Sequence, residues 1–203
     1  EVLKNTTYRH LFLAQVIALI GTGLITIALA LQAYDIAKGE AAQVLGIALA
    51  IKMIAYIGVA PIASAFAERL PRKKVLVGLD IIRALTALCL PFVTQIWQIY
   101  ILIFILQSAS AAFTPTFQAM IPDVLPEEKD YTNALSLSRL AYDLENIISP
   151  MLAGFLLGFI SYHNLFLGTV IGFIGSALFV VSAKLPAAKV PVFKGVYYRI
   201  KQG

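Results

Sequence analysis

The feature that most constrains the fold of this chain is the length of its uncharged stretches. Residues 84–122 contain no Asp, Glu, Lys or Arg, and residues 146–183 contain none either. Residues 11–34 are also uncharged, and residues 41–67 carry a single charge, Lys52. A helix that crosses a bilayer needs about 20 apolar residues, so each of the two longest stretches accommodates two crossings. The chain is 13% charged, whereas a soluble domain is roughly 25% charged, and this difference excludes a water-soluble core.

Turn signals divide these stretches into six predicted helices. Proline, glutamine and tryptophan at 91–98 interrupt the first long stretch, and Ser-Tyr-His-Asn at 161–164 interrupts the second. The predicted spans are 10–34, 42–68, 74–94, 98–121, 133–160 and 164–183. The sequence therefore predicts an all-α integral membrane fold whose helix lengths permit two three-helix repeats. Residues 1–183 form the predicted six-helix bundle, and residues 184–203 begin a basic, proline-containing cytoplasmic linker.

Basic residues concentrate on one side of the predicted spans. They lie before the first span, between the second and third, between the fourth and fifth, and after the sixth, whereas the opposite loops contain only Lys38. Because Lys and Arg are enriched in cytoplasmic loops, both ends of the chain are expected in the cytoplasm. This distribution also accounts for the net charge of +5. We therefore expect the lipid bilayer as a partner, and no nucleic acid.

A basic turn, Ser-Ala-Phe-Ala-Glu-Arg-Leu-Pro-Arg-Lys-Lys at residues 64–74, lies between the second and third predicted helices. It resembles a motif of the major facilitator superfamily. The family motif between the second and third helices runs Gly-x-x-x-Asp-Arg-x-Gly-Arg-Arg. This chain has Ser64 and Pro71 in place of the two glycines. The charged positions keep their sign, at Glu68, Arg69, Arg72 and Lys73. Two replaced glycines suggest a turn that is stiffer than usual.

Further stretches resemble a bacterial efflux subfamily that includes macrolide, siderophore and nickel-resistance exporters. They are Asp80-Ile-Ile-Arg83, the Ala-Phe-Thr-Pro and Met-Ile-Pro pieces of 112–122, and Asn-Ala-Leu-Ser-Leu-Ser-Arg-Leu at 133–140. A helix-packing element similar to the "GP…GG" element of drug antiporters follows, at Ser149, Pro150 and Gly154. The resemblance implies a twelve-helix transporter in two halves. This chain would be the amino-terminal half, with the carboxy-terminal six-helix half as its missing partner.

The resemblance implies secondary active efflux by alternating access in the bacterial cytoplasmic membrane. The expected activity is proton-coupled export of small amphipathic compounds or drugs. Export of a divalent metal (nickel, cobalt or iron) or of a siderophore is one alternative, and a channel or non-transport membrane module is another. Tyr142-Asp143 resembles half of an intramembrane aspartyl protease site, but its Gly-x-Gly-Asp partner is absent, as is His-Glu-x-x-His. We therefore expect no enzyme activity and no cofactor.

Three charges lie near the middle of the predicted spans, at Lys52, Asp143 and Glu145. A charge at the bilayer centre costs about 3 kcal/mol on insertion scales, so Lys52 must face protein or a water-filled cavity. Asp143 and Glu145 are two residues apart and point to different helix faces, so only one is expected to meet Lys52. Together with Asn146, these residues form the predicted proton-coupling site in a central cavity. A buried structural ion pair is the alternative.

Two larger sets of residues complete the predicted site. Polar residues on the first and fourth helices are candidates for cavity lining or for bonds between helices. They are Gln15, Thr22, Thr26, Gln32, Gln107 and Ser108. The family resemblance implies a cytoplasmic gate network, with ordinary interfacial charge as the alternative. Its members are Glu68, Arg69, Arg72, Asp80, Arg83 and Arg139. His10 and His163 lie apart from cysteines and carboxylates, which argues against them as metal ligands. The sequence leaves the question of a metal site open, because carboxylates and carbonyls could carry a substrate cation.

Overall fold

The structure, a computed structural model, describes residues 2–67 and 70–184, and over these ranges it is helical. The α-helices are α1 (Thr6–Ala37), α2 (Ala41–Ala67), α3 (Arg72–Cys89), α4 (Ile96–Val124), α5 (Glu128–Leu157) and α6 (Tyr162–Ser182). Short 3₁₀ segments precede α1, join α1 to α2 and follow α3. Glu68, Arg69 and the predicted linker beyond Lys184 lie outside the described residues.

Five helical segments of the described chain are long and apolar enough to cross a membrane. The first, Thr6–Phe66, contains both α1 and α2, because the 3₁₀ turn Lys38–Glu40 continues the helical path between them. The other four contain α3, α4, α5 and α6. The prediction of an all-helical membrane fold is therefore confirmed at this level.

Helix α5 begins earlier than the sequence predicted. Its first residue is Glu128 rather than Asn133. Glu128 and Asp130 occupy the first turn, where carboxylates stabilise the positive end of the helix dipole. The charged loop residues that were assigned to a connection are therefore part of the helix.

Helix α6 packs against both α1 and α3, and its contact with α1 is the most extensive between any two described helices. A Cβ at Gly172 of α6 would lie 3.3 Å from the carbonyl oxygen of Ile17 and 3.4 Å from the Cα of Gly21. The Thr169 hydroxyl donates a hydrogen bond to the Gly21 carbonyl at 3.0 Å. Small residues thus bring the α1 and α6 backbones together, as they commonly do in membranes.

The remaining helices surround this core. Helix α4 packs against α2 and α3, and α5 packs mainly against α1. One apolar cluster fills the end of the bundle that holds the amino terminus, around Tyr8, Leu76 and Phe117. A second cluster fills the other end, around Leu90 and Phe166. A cavity is lined by residues of α1, α2, α4 and α5.

Candidate functional site

A cavity of about 430 Å³ lies between α1, α2, α4 and α5. This volume is within the usual range for small-molecule pockets, about 300–1,000 Å³. The α5 residues on its wall recur every three or four positions, which is the spacing of one helix face. They are Tyr142, Glu145, Asn146, Ser149 and Pro150.

Lys52 and Glu145 line this cavity from different helices, Lys52 on α2 and Glu145 on α5. They are near enough for their charges to interact, yet neither forms a salt bridge within the described part of the chain. The Lys52 ammonium lies 6.0 Å from the centroid of the Tyr56 ring. Lys52 and Glu145 therefore line the same cavity without a direct contact between their charged groups.

Asp143 does not join this pair. Its side chain is 65% exposed and lies 3.7 Å from the guanidinium of Arg139, which is itself 82% exposed. It borders a broader groove beside α4 and α5 instead. Of the predicted coupling residues, Lys52, Glu145 and Asn146 line the same cavity. Glu145 and Asn146 lie on the face of α5 that borders this cavity, whereas Asp143 lies on another face.

The predicted cavity-lining residues divide into two groups. Gln15, Thr22 and Thr26 of α1 line the cavity. Gln32 does not, because its side-chain amide donates to the Leu90 carbonyl at 2.6 Å and ties α1 to the segment after α3. Gln107 lines a smaller cavity of about 60 Å³ that Lys52 also borders.

Ser108 follows Gln107 on α4 and lines neither of these cavities. Its hydroxyl is buried and has no hydrogen-bond partner among the described residues. The next serine on α4, Ser110, does line the main cavity. The prediction that Ser108 lines the cavity is therefore wrong, because the face of α4 that borders the cavity carries Ser110, about half a helical turn away.

Asp80 and Arg83 lie in the bundle interior rather than at a cytoplasmic gate. Both are buried, and they pair with each other one turn apart on α3. The Ser176 hydroxyl donates to Asp80 at 2.7 Å. The guanidinium of Arg83 lies between two aromatic rings, 4.2 Å from the centroid of Phe113 and 4.6 Å from that of Phe173. This buried pair joins α3, α4 and α6, and Arg83 also reaches the cavity wall.

The other predicted gate residues lie apart from this pair. Arg72 donates to the Ala119 carbonyl at 2.7 Å and pairs with Asp123, which joins α3 to the end of α4. Arg139 pairs with Asp143 on its own helix. Glu68 and Arg69 fall outside the described residues. Among the described residues, these gate candidates thus take part in three ion pairs, and the gate network as a whole stays a prediction.

The predicted packing element on α5 acts through Ser149. A Cβ at Gly23 of α1 would collide with the Ser149 side chain and lie 3.3 Å from a carboxylate oxygen of Glu145. Pro150 is exposed and lines the cavity. Gly154 has no described atom within 4 Å of its Cβ position, so it makes no such close packing.

Several cavity residues were missed by the sequence reasoning. Tyr56 and Tyr142 line both the cavity and the adjacent groove. The Tyr142 hydroxyl is hydrogen-bonded to Thr114 of α4 at 2.8 Å. Tyr56 follows Lys52 by four residues and Tyr142 precedes Glu145 by three, so extending the charged helix faces by one turn would have found both. Gly23 carried no comparable signal.

No group of three or more His, Cys, Asp or Glu side chains suited to a metal ion occurs in the described ranges. His10 lies beside Ser182, and the His163 ring lies 4.1 Å from that of Tyr162, tilted by 31°. The polar character of the cavity comes from Lys52, Glu145, hydroxyl groups and amides instead.

Comparison with known proteins identifies the class. A sequence model of the Major Facilitator Superfamily matches residues 11–196, and the chain belongs to this family. It is therefore a multi-pass membrane protein of a transporter family rather than an enzyme.

Three relatives illustrate this membership. The chain is 25% identical to macrolide efflux protein A of Streptococcus pyogenes over 85% of its own length and 43% of the relative's. It is 26% identical to macrolide efflux protein A of Enterococcus faecalis over 71% of its length and 46% of the relative's. It is 29% identical to the uncharacterized MFS-type transporter YfiS of Bacillus subtilis over 52% and 25%. The chain thus spans less than half the length of each.

Proposed function

We propose that this chain forms the cavity-bearing part of a secondary active efflux transporter that couples export to protons by alternating access. The observation that carries the proposal is the placement of Lys52 and Glu145 on different walls of one cavity. Intramembrane charges are costly and usually mark a functional site. A carboxylate that faces a cavity can exchange a proton with water, and a nearby ammonium group makes that exchange sensitive to anything that separates the two charges.

In this proposal Glu145 carries the coupling proton and Lys52 is its counter-charge. When Glu145 is ionised, the two charges balance each other. When Glu145 is protonated, the cavity has a net positive charge, because the charge of Lys52 is no longer balanced. Arg83 does not change this, since Asp80 already balances it. Protonation of Glu145 therefore disfavours binding of a positively charged substrate in the same cavity, and deprotonation of Glu145 favours that binding. Such competition is sufficient to couple proton entry to export.

The proposed substrates are small amphipathic compounds. The cavity wall combines a carboxylate and hydroxyl groups with the apolar and aromatic surfaces of Leu19, Met53, Tyr56 and Phe113. A wall of this composition suits a compound with one polar or charged group on an apolar body. The relatives named macrolide efflux protein A make macrolides the first compounds to test.

The proposal extends to the architecture of the whole transporter. The six described helices form one bundle of a twelve-helix fold, arranged as two three-helix repeats, with residues 184–203 leading into a cytoplasmic linker. The bundle lies in the bacterial cytoplasmic membrane with both ends of this chain in the cytoplasm. The positions of the basic residues support this orientation. The cavity faces of α2 and α5 would then border the second half.

Efflux from cells tests the proposal. The full-length gene product that contains this chain is produced in a bacterium that lacks its major drug pumps, and accumulation of a radiolabelled macrolide is followed with and without a protonophore. We expect expression to lower accumulation and the protonophore to abolish the difference. Efflux that persists after the gradient has collapsed would contradict proton coupling. Growth tests with nickel, cobalt and iron limitation would reveal instead a metal or siderophore exporter, and gradient-independent conduction would reveal a channel.

A further inference from the structure

The Lys52 side chain lies between two cavities. It lines the main cavity of about 430 Å³ and also the smaller cavity of about 60 Å³ between α1, α2 and α4. The smaller cavity has room for an ammonium group, since one water molecule occupies about 30 Å³ in the liquid. Its walls are otherwise almost entirely apolar, formed by residues such as Ile25, Leu29 and Leu106.

One polar side chain in the smaller cavity has an unsatisfied acceptor. Gln107 is only 6% exposed, and its side-chain carbonyl oxygen has no hydrogen-bond partner among the described residues. Leaving a buried acceptor unpaired costs free energy. An ammonium group carries three donors and no acceptor, so it is a suitable partner for this oxygen.

Two hydrogen-bond acceptors of different kinds line the cavities beside the Lys52 ammonium group. From the main cavity it faces Glu145 and Tyr142 of α5 and Arg83 of α3, with Tyr56 on its own helix. The residues of α1 and α4 that line the two cavities carry no charge. The Glu145 carboxylate and the Gln107 carbonyl therefore belong to the two different cavities that Lys52 lines, and the first is ionisable whereas the second is permanently neutral.

We propose that Gln107 is a positioning residue that receives the Lys52 ammonium when Glu145 is protonated. This inference rests on the proposed function, because it assigns a second position to the counter-charge of the coupling carboxylate. With Glu145 ionised, Lys52 turns towards the main cavity. With Glu145 protonated, Lys52 turns into the smaller cavity and bonds to Gln107. The second position lowers the free energy of the protonated state, so Gln107 sets how readily Glu145 accepts its proton.

Labelling with dicyclohexylcarbodiimide tests the inference without requiring transport, because the reagent modifies protonated carboxyl groups in apolar surroundings. The purified protein in detergent is labelled across a pH series, and modification of Glu145 is measured by peptide mass spectrometry. Gln107→Leu removes the second position of the Lys52 ammonium group. The pH at which half of Glu145 is labelled (the midpoint) should then fall by about one unit, which means that a tenfold higher proton concentration is needed. Gln107→Glu holds Lys52 away from Glu145, so its midpoint should rise by about as much.

Two controls separate this role from a structural one. Ser108→Ala alters a buried, unpaired hydroxyl on the same helix that lines neither cavity, and it should leave the midpoint unchanged. In a Lys52→Met background, Gln107→Leu should no longer shift the midpoint, because the group it positions is absent. Wild-type midpoints in both Gln107 variants, or shifts in the same direction, would overturn the inference. Efflux without proton dependence would instead contradict the proposed function and leave the labelling result to stand alone.

Discussion

Helices α5 and α6 both pack against α1, yet they do so by different means. Helix α6 buries two phenylalanines, Phe166 and Phe173, together with the small residues that let it approach α1 closely. The buried residues of α5 are all small. In its most apolar stretch 11% of the residues are buried, whereas the figure for α6 is 33%. The comparison separates a packed scaffold centred on α6, which contacts both α1 and α3, from the part of the cavity wall formed by α5.

The contacts between α5 and α1 extend along the two helices. The Tyr8 hydroxyl donates to the Ala134 carbonyl at 3.1 Å, and Ser138 donates to Gln15 at 2.9 Å. Further along, Gly23 accommodates Ser149. A helix attached in this way keeps its other faces available for the cavity and for neighbouring protein or lipid. We therefore infer that α6 mainly fixes the bundle, whereas α5 positions Glu145.

The largest expected effect lies in the scaffold, at Asp80. Asp80→Asn leaves the buried Arg83 guanidinium without its carboxylate, and breaking a buried ion pair costs about 3–5 kcal/mol. Thermal unfolding of the purified protein in detergent should show a large loss of stability. Asp143→Asn is the matched control, because it removes an exposed pair worth about 0–1 kcal/mol. Equal losses for the two variants would contradict the division between scaffold and wall.

An intermediate effect is expected where α5 crosses α1. Gly23→Ala places a Cβ against Ser149, and such overpacking costs about 1–3 kcal/mol. Adding Ser149→Gly removes the colliding side chain and should restore most of the stability in the same unfolding measurement. Gly58→Ala controls for helix propensity, since nothing described lies within 4 Å of its Cβ position. If Gly23→Ala behaves like Gly58→Ala, the close crossing is wrong.

The smallest effect is expected from the hydrogen bond between α5 and α1. Ser138→Ala removes the donor to Gln15, and such bonds in membrane proteins average about 0.6 kcal/mol. The change should appear as a small fall in unfolding temperature. Ser136→Ala is the control, because its hydroxyl bonds to Thr132 on the same helix. A large loss for Ser138→Ala would mean that α5 depends on this one bond far more than its extended contact line suggests.

The sequence predicted the helical membrane fold because uncharged stretches of such length have few other solutions. It also indicated that one of two acids would approach Lys52, since Asp143 and Glu145 must point to different faces. It placed Asp80 and Arg83 at the cytoplasmic surface, whereas the structure buries both. The sequence spacing of an i, i+3 ion pair is the same at a surface and in a core, so it cannot distinguish the two locations. Gly23 was missed because glycines are common in membrane helices. Which ones touch another helix depends on rotations that a single sequence does not specify.

Paired efflux measurements on Glu145→Gln and Asp143→Asn test the central claim most directly. Both substitutions replace a carboxylate by an amide on the same helix, two residues apart, and only Glu145 lines the cavity with Lys52. Proton-driven efflux should be abolished in Glu145→Gln and retained in Asp143→Asn, at matched levels of protein in the membrane. Efflux that survives in Glu145→Gln would contradict the assignment of Glu145 as the coupling residue.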